Sequence, residues 1–332
     1  MDAQVKKGEP VLTVDGLKVS FRTRDGLVKA VRDVSFNLFP GEALGIVGES
    51  GCGKSVSALS TMKLIDCPPG LIEARHMRFN GMDILKASER EMRKIRGNRI
   101  SMIFQDPMTC LNPVLSIHKQ MCEIMQLHLG LSISEATERA IELLGKVGIT
   151  APELRLKSYP HQLSGGIRQR VMIAIAISCN PTILLADEPT TALDVTIQDQ
   201  ILRLMKDLAE DLRMATILIT HNLGAVAGFS HRIIVMYAGQ IVELGDSNEI
   251  FDNPLHPYTA GLLASIPRMD EEEQKRLFSI KGKLPSPIFI PKGCAFTPRC
   301  IHAFDRCSTQ SPNLEEIGSG HFVSCWKVMD GK

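Results

Sequence analysis

Nowhere in this 332-residue chain do about 18 apolar residues run without interruption, so nothing in it reads as a helix that crosses a bilayer. An excess of either charge is missing too. With 38 basic against 37 acidic residues the formal net charge is +1, which argues against nucleic acid as the main partner. The first ten residues, MDAQVKKGEP, contain no apolar core of the kind a secretory leader needs. The expectation is a protein made and kept in the cytoplasm. There, nine cysteines point to free thiols or metal ligands rather than to disulfides. An apolar content of 44% over this length suffices for one large domain and a smaller one.

What is present is organised around Gly48-Glu49-Ser50-Gly51-Cys52-Gly53-Lys54-Ser55. The apolar run Leu44-Gly45-Ile46-Val47 precedes it and a helix-compatible segment follows, giving strand, glycine-rich loop and helix. Glycines let consecutive backbone N–H groups turn inward around phosphate oxygens, and the helix presents its positive end to the same anion. Lys54 is placed to reach the β- and γ-phosphates of a nucleotide, and Ser55 to complete the shell of a Mg²⁺ ion.

Before this loop, residues 11–40 alternate in short apolar pieces around Arg24-Asp25-Gly26, which predicts an antiparallel hairpin region with Phe21 at a strand end just before that turn. After it come a short strand over 77–84, a charged helix over 87–95, and the strand Ile100-Ser101-Met102-Ile103-Phe104, stopping at Gln105-Asp106-Pro107. Residues 108–162 change character. Ile117, Met121, Ile124 and Met125 share one helical face. Ala136, Ala140, Leu143, Leu144 and Val147 share another, opened by a capping box at Ser132 and Glu135 and closed at Gly148. This reads as a helical insertion into an α/β domain.

Ser164 then stands at an N-cap position before Gly165 and Gly166, leading into an apolar, buried helix and forming a second anion-binding end. The strand Thr182-Ile183-Leu184-Leu185-Ala186 ends in Asp187-Glu188. A helix over 198–212 and a strand over 215–219 follow, the latter ending in Thr220-His221. Residues 232–244 form a closing hairpin around Ala238-Gly239. Four strands thus end in the phosphate loop, Gln105, Asp187-Glu188 and His221. Ligands of open α/β sheets gather at such carboxyl ends, and this set describes a nucleotide-hydrolysing site.

Beyond residue 260 the strand–helix periodicity stops and prolines crowd 284–298. Cys294, Cys300, Cys307 and Cys325, separated by five, six and seventeen residues, are either scattered buried thiols or a four-thiolate metal site. Zinc is chemically possible, although the CxxC spacing usual for structural zinc is absent.

In order, GESGCGKS, FQDP, LSGGIRQR, ILLADEPTTALD and ITHN resemble the motif set of ATP-binding cassette (ABC) ATPases over roughly residues 10–260. The run YPHQLSGGIRQRVMIA, the segment NPLHPYT at 253–259 and the cysteine-containing tail resemble the ATPase subunits of bacterial dipeptide and oligopeptide importers. Nickel and antimicrobial-peptide transport ATPases are close relatives of these. The resemblance implies an α/β, P-loop fold with an antiparallel β subdomain, a helical insertion over 108–162, and a loop-rich C-terminal region over 261–332 beside a nucleotide-binding domain over 1–260. It gives Gly48 through Ser55 to the triphosphate, Phe21 to the adenine, Ser55, Gln105 and Asp187 to Mg²⁺, and Glu188 and His221 to water and γ-phosphate.

By the same resemblance Ser164, Gly165 and Gly166 close on the ATP of a second ATPase subunit, like or unlike, with Asp194 at the adjoining loop. Ile167 departs from the Gln or Met often found after the two glycines, and function is expected to survive this. The tail cysteines imply a [4Fe–4S] cluster. Two transmembrane permease subunits and an extracytoplasmic substrate-binding protein complete the expected system, with this chain peripheral to the inner face of the membrane. A soluble cassette ATPase of DNA repair or translation would call for a second cassette, a long coiled coil or a basic face. A regulatory, non-hydrolysing subunit would not need both Glu188 and His221.

Overall fold

The computed structural model describes residues 8–106, 110–191, 193–266, 279–318 and 320–331. Residues 1–7, Pro107, the first two residues of the anticipated insertion (108 and 109), Ala192 before Asp194, residues 267–278, Ser319 and Lys332 lie outside the described residues. The chain divides into two compact units. One draws on Met1–Val11, Phe39–Glu42 and Lys86–Leu218, the other on Leu12–Leu38, Ala43–Leu85 and Ile219–Lys332.

In the second unit, β1 (Leu12–Thr23) and β2 (Gly26–Leu38) form one long antiparallel hairpin, in register from Leu12 opposite Leu38 to Thr23 opposite Gly26. The expected short pieces are therefore continuous strands, with bulges absorbing the breaks in alternation near Val14, Leu17 and Val19. The short strand β3 (Ala43–Val47) is buried along its whole length and leads to the glycine-rich loop at 48–55. Sequence reasoning missed β4 (Gly70–Glu73), which pairs with β1. The strand expected over 77–84 is instead a small hairpin, β5 (His76–Phe79) and β6 (Met82–Asp83). Asn80 and Gly81 between them both adopt positive φ, the mark of a tight primed turn.

In the first unit, β7 (Ile100–Ile103) and β8 (Ile183–Asp187) pair in parallel, both fully buried. The strand β9 (Ala215–Thr220) lies next to β8. Its helices follow the sequence closely. Ile117–Leu129 buries Ile117, Met121, Cys122 and Met125. The helix Ile133–Lys146 starts at the expected Ser132–Glu135 capping box and buries Ala136, Ala140, Leu143 and Leu144. Both pack on Gly165–Ile177, whose interior is apolar nearly all round.

Back in the second unit, β10 (Arg232–Tyr237) runs parallel to β3, and β11 (Gln240–Asp246) returns antiparallel to β10. The tail then adds two strands that sequence reading left as loop, β12 (Glu315–Gly318) and β13 (His321–Val323), with β13 pairing on β11. The side chain that fixes this junction is Glu243, wholly buried on β11. Its carboxylate accepts from the backbone N–H groups of Leu255 and His256 at 2.7 and 3.0 Å, and lies 2.8 Å from His321 Nε2.

Candidate functional site

The expected site residues fall in both units. In the second unit the loop at 48–55 leaves β3 and enters the helix Lys54–Thr61 with backbone that only glycine takes easily. Gly48 has φ 153° and Gly53 φ 104°. A Cβ on Gly48 would collide with the Met236 carbonyl oxygen, and one on Gly53 with that of Ala30. Such a bared loop is a cradle for phosphate oxygens. Lys54, only 4% exposed, donates from Nζ to the carbonyl oxygens of Gly48 and Glu49 at 2.7 and 3.0 Å. Its cation is thus held inside the loop curve. Cys52 is fully buried, and burial pushes its thiol up, against the pull of Lys54. It is a packed neutral side chain rather than a reactive one.

Three more expected positions belong to this unit or its edge. Ser55 is half-buried in the first turn of the helix. Phe21, half-buried on β1, sits opposite Gly70, where a Cβ would come within 3.4 Å of its ring. His221 is exposed immediately after the last residue of β9, and the Thr220 hydroxyl there accepts from the Asn222 N–H at 3.1 Å.

The first unit brings Gln105 and Glu188 together. Gln105 Nε2 donates to Glu188 Oε2 at 3.1 Å, and the Thr191 hydroxyl donates to the same oxygen at 2.9 Å. Glu188 also holds φ 45°, a left-handed backbone that costs a non-glycine residue about 1–2 kcal/mol. Strain of this kind persists where surrounding structure fixes a side chain for a purpose. Asp187 ends β8 and is buried. Thr191, unremarked at the sequence level, completes the hold on the carboxylate; its place three residues after Glu188 was the available signal.

Ser164 stands at the N-cap of Gly165–Ile177 with no side-chain capping bond, so its hydroxyl is not spent on its own helix. Ser164 and Gly165 are exposed and Gly166 is half-buried, with Gly165 next to Leu193 and Gly166 next to Ile197. Asp194 serves the fold directly, since its carboxylate accepts from the Ile197 N–H at 3.0 Å and caps Val195–Asp211. That cap starts the helix three residues earlier than the sequence suggested.

Residues 31–191 match the family model described as ABC transporter, and residues 242–307 match that of the oligopeptide/dipeptide transporter C-terminal region. The chain belongs to the ABC transporter ATP-binding proteins. It is 49% identical over 316 residues to the oligopeptide transport ATP-binding protein AppD of Bacillus subtilis, covering 95% of this chain and 96% of that one. It is 48% identical over 320 residues to the dipeptide transport ATP-binding protein DppD of Escherichia coli, covering 96% and 97%. Among solved structures, the ATP-binding cassette MJ0796, a dimer in a post-hydrolysis state bound to ADP and Pi, superposes with a TM-score of 0.64 at 28% identity. The superposition covers 71% of this chain and 98% of that chain. The antiparallel sheet and the helices are therefore those of an ABC ATPase, and the chain is an ATP-hydrolysing subunit.

The iron–sulfur expectation fails in this ABC protein. Among the described residues, no group of three or more His, Cys, Asp or Glu side chains is arranged to hold a metal ion, which removes the zinc alternative for the tail as well. Cys294, Cys300, Cys307 and Cys325 do lie in one region. Burial pushes the thiols of Cys294, Cys300 and Cys325 up, and the neighbouring sulfurs push the same way. Order in the tail comes from packing instead. Phe296 meets Tyr237 edge-on at 5.2 Å, and the Arg306 guanidinium lies 3.4 Å over the Trp326 ring while pairing with Asp330.

Proposed function

We propose that this chain powers the uptake of dipeptides or short oligopeptides. In this reading it is one of two ATPase subunits, like or unlike, seated on two membrane permease subunits at the cytoplasmic face, with an external binding protein selecting the cargo. The observation that carries the reading is that the likeness runs past the cassette and through residues 242–307, a region whose family model is named for peptide transporters. No described helix is long and apolar enough to cross a membrane, so the channel would come from other chains. We take residues 1–260 as the nucleotide-binding domain, 108–162 as its insertion facing the permease, and 261–332 as the peptide-transporter region.

Phosphoryl transfer asks a protein mainly for positioning and charge neutralisation. We assign the backbone of 48–55 to the phosphates, with Lys54 exchanging its loop carbonyls for β- and γ-phosphate oxygens. Ser55, Gln105 and Asp187 are the residues that would hold Mg²⁺, which when bound neutralises charge on those oxygens. Glu188, already oriented by Gln105 and Thr191, aligns the attacking water. His221 contacts the γ-phosphate and Phe21 supports the adenine. Ser164, Gly165 and Gly166, with Asp194 behind them, close on the nucleotide of the other ATPase subunit. There the uncapped helix end offers N–H groups and a positive dipole.

Two experiments test this. Glu188→Gln in the assembled complex is expected to keep ATP binding and lower hydrolysis by roughly 10²–10⁴-fold, the range for a lost proton acceptor. Normal turnover would remove Glu188 from its role. Labelled dipeptide uptake should disappear in a strain lacking this chain and return on complementation. Unchanged peptide uptake with lost nickel or antimicrobial-peptide uptake would move the cargo to those classes and leave the ATPase assignment standing.

A further inference from the structure

The tail reaches back to the phosphate loop within the second unit, and one arginine makes the connection. Arg299 lies in the turn Thr297–Arg299, with a side chain only 5% exposed. One side of its guanidinium fork donates to the tail itself, from Nε to the Lys281 carbonyl at 3.1 Å and from Nη2 to the Ile280 carbonyl at 3.3 Å. The other side leaves the tail. Nη1 donates to Glu49 Oε2 at 2.9 Å and lies 3.4 Å from the Tyr237 hydroxyl. A planar five-donor fork can serve both sides at once, which a lysine cannot.

Glu49 is the one acidic residue among 48–55, in a loop built to receive an anion. Left unpaired, its carboxylate would repel the triphosphate it adjoins. Arg299 neutralises it and fixes its direction. The backbone of Glu49 is held as well, because its N–H donates to the Tyr258 hydroxyl at 2.9 Å. Tyr258, Tyr237 and Phe296 pack as one ring cluster with centroids 4.8–5.5 Å apart, so the tail residue Phe296 buttresses the hydroxyl that holds the loop. Earlier in the tail, Leu284 lies against Gly51, and the Pro287 carbonyl accepts from the Lys29 N–H on β2 at 3.0 Å. The tail thus meets the loop at Leu284, touches the hairpin at Pro287 and returns to the loop at Arg299.

We propose that Arg299 is a positioning residue for nucleotide binding: through Glu49 it sets the shape and charge of the phosphate loop, so that the tail, which touches no phosphate, tunes ATP affinity. The proposal rests on assigning 48–55 to the triphosphate. Its consequence is that this region, carried by the peptide-transporter C-terminal model, acts on the motor itself and not only on cargo or partner choice.

The test is ATP–Mg²⁺ binding to the purified full-length chain, by calorimetry, for Arg299→Ala, Arg299→Lys, Glu49→Gln and the Arg299→Ala/Glu49→Gln pair. Unmasking the Glu49 carboxylate should raise Kd roughly five- to tenfold in Arg299→Ala, whereas Glu49→Gln, which removes the repelling charge, should bind ATP no more weakly than the parent. The double variant, with no carboxylate to unmask, should recover most of the affinity lost in Arg299→Ala. Arg299→Lys should recover most of the affinity while its melting temperature stays with Arg299→Ala, because lysine restores the charge that offsets Glu49 but not the bonds to Ile280 and Lys281. A merely structural arginine would recover both or neither, and that result overturns the proposal, as does a double variant that binds as weakly as Arg299→Ala. If Arg299→Ala fails to fold, Arg299→Gln, which keeps hydrogen-bond donors without the charge, takes its place: weaker ATP binding supports the proposal and parental affinity overturns it. Lys54→Ala serves as the control: if it binds ATP as tightly as the parent, the loop assignment falls and the proposal with it. If only Lys54→Ala weakens binding, the proposal alone falls.

Discussion

Replacing Glu243 by alanine should be among the most damaging single changes in the second unit. The carboxylate is wholly buried and accepts three hydrogen bonds, from Leu255 N–H at 2.7 Å, His256 N–H at 3.0 Å and His321 Nε2 at 2.8 Å. Bonds to a charged acceptor contribute about 1.5–3 kcal/mol each, but burying the carboxylate offsets several kcal/mol of that. What alanine leaves behind decides the outcome. Two buried backbone donors and an imidazole lose their acceptor, at about 1–3 kcal/mol apiece before any relaxation. Allowing for partial rescue by water, the expected loss is about 3–5 kcal/mol, in line with breaking a buried ion network from one side. In a calorimetric scan this lowers the transition of the second unit by roughly 6–20 °C. Glu243→Gln keeps the shape and one acceptor oxygen and should lose less than half as much. The damage should also be directional: β13 loses its anchor to β11, and Tyr258, just past the freed N–H of His256, loosens its hold on Glu49. An alanine variant melting within about 2 °C of the parent would refute this reasoning, since it would mean the three donors find other partners at no cost.

His256 is buried, and that burial lowers its pKa from 6.5 to about 3. The unfolded chain therefore takes up the proton first as pH falls. The stability that His256 contributes is full above about pH 6.5 and is lost toward pH 3, by at most about 1.4 kcal/mol per pH unit. His256→Asn keeps an acceptor for the Tyr258 N–H and should flatten the acid side of a stability–pH curve. An unchanged slope would place the acid sensitivity elsewhere. Ser164→Ala should slow ATP hydrolysis by the assembled pair about tenfold or more while ATP binding to the single chain stays put, since its hydroxyl makes no capping bond in its own chain. A binding loss as large as the hydrolysis loss would move Ser164 into the primary pocket.

Features written in local spacing were legible. The Ser132–Glu135 capping box and the apolar face of Ile117, Met121 and Met125 stand where the sequence put them, because caps and helical faces depend on residues three and four apart. The Asn80-Gly81 turn splits the strand expected over 77–84, and the Ser88–Glu91 capping box starts the helix expected from residue 87 at Glu89; both are signals of the same local kind. The short strand β4 follows Pro68 and Pro69 and becomes a strand only by pairing with β1, which no window of local sequence contains. Arg299 and Glu49 are 250 residues apart, and Glu243 and His321 are 78 apart. No periodicity links such pairs. The tail cysteines show the opposite failure: their spacing was legible, but ligation depends on where sulfur atoms point, and the chain leaves two of them buried and two half-buried without gathering a ligand set among the described residues.

These contacts separate two properties of the motor that are often discussed together. In the first unit, Glu188, which would act on water, is held by Gln105 and Thr191, and the N-terminus of Gly165–Ile177 by its own backbone. In the second unit, the loop that would grip the phosphates is held by segments beyond residue 250, through Tyr258 from the NPLHPYT segment and Arg299 from the tail. Changes near Glu188 should therefore alter the rate of hydrolysis at nearly constant affinity. Changes in the tail should alter affinity at nearly constant rate per bound ATP. A tail that grips the loop can vary in sequence, and so retune the ATP concentration at which a given importer runs, without disturbing the groups that break the phosphate bond. That gives a cassette reason to carry an extra C-terminal region independent of any ligand bound there.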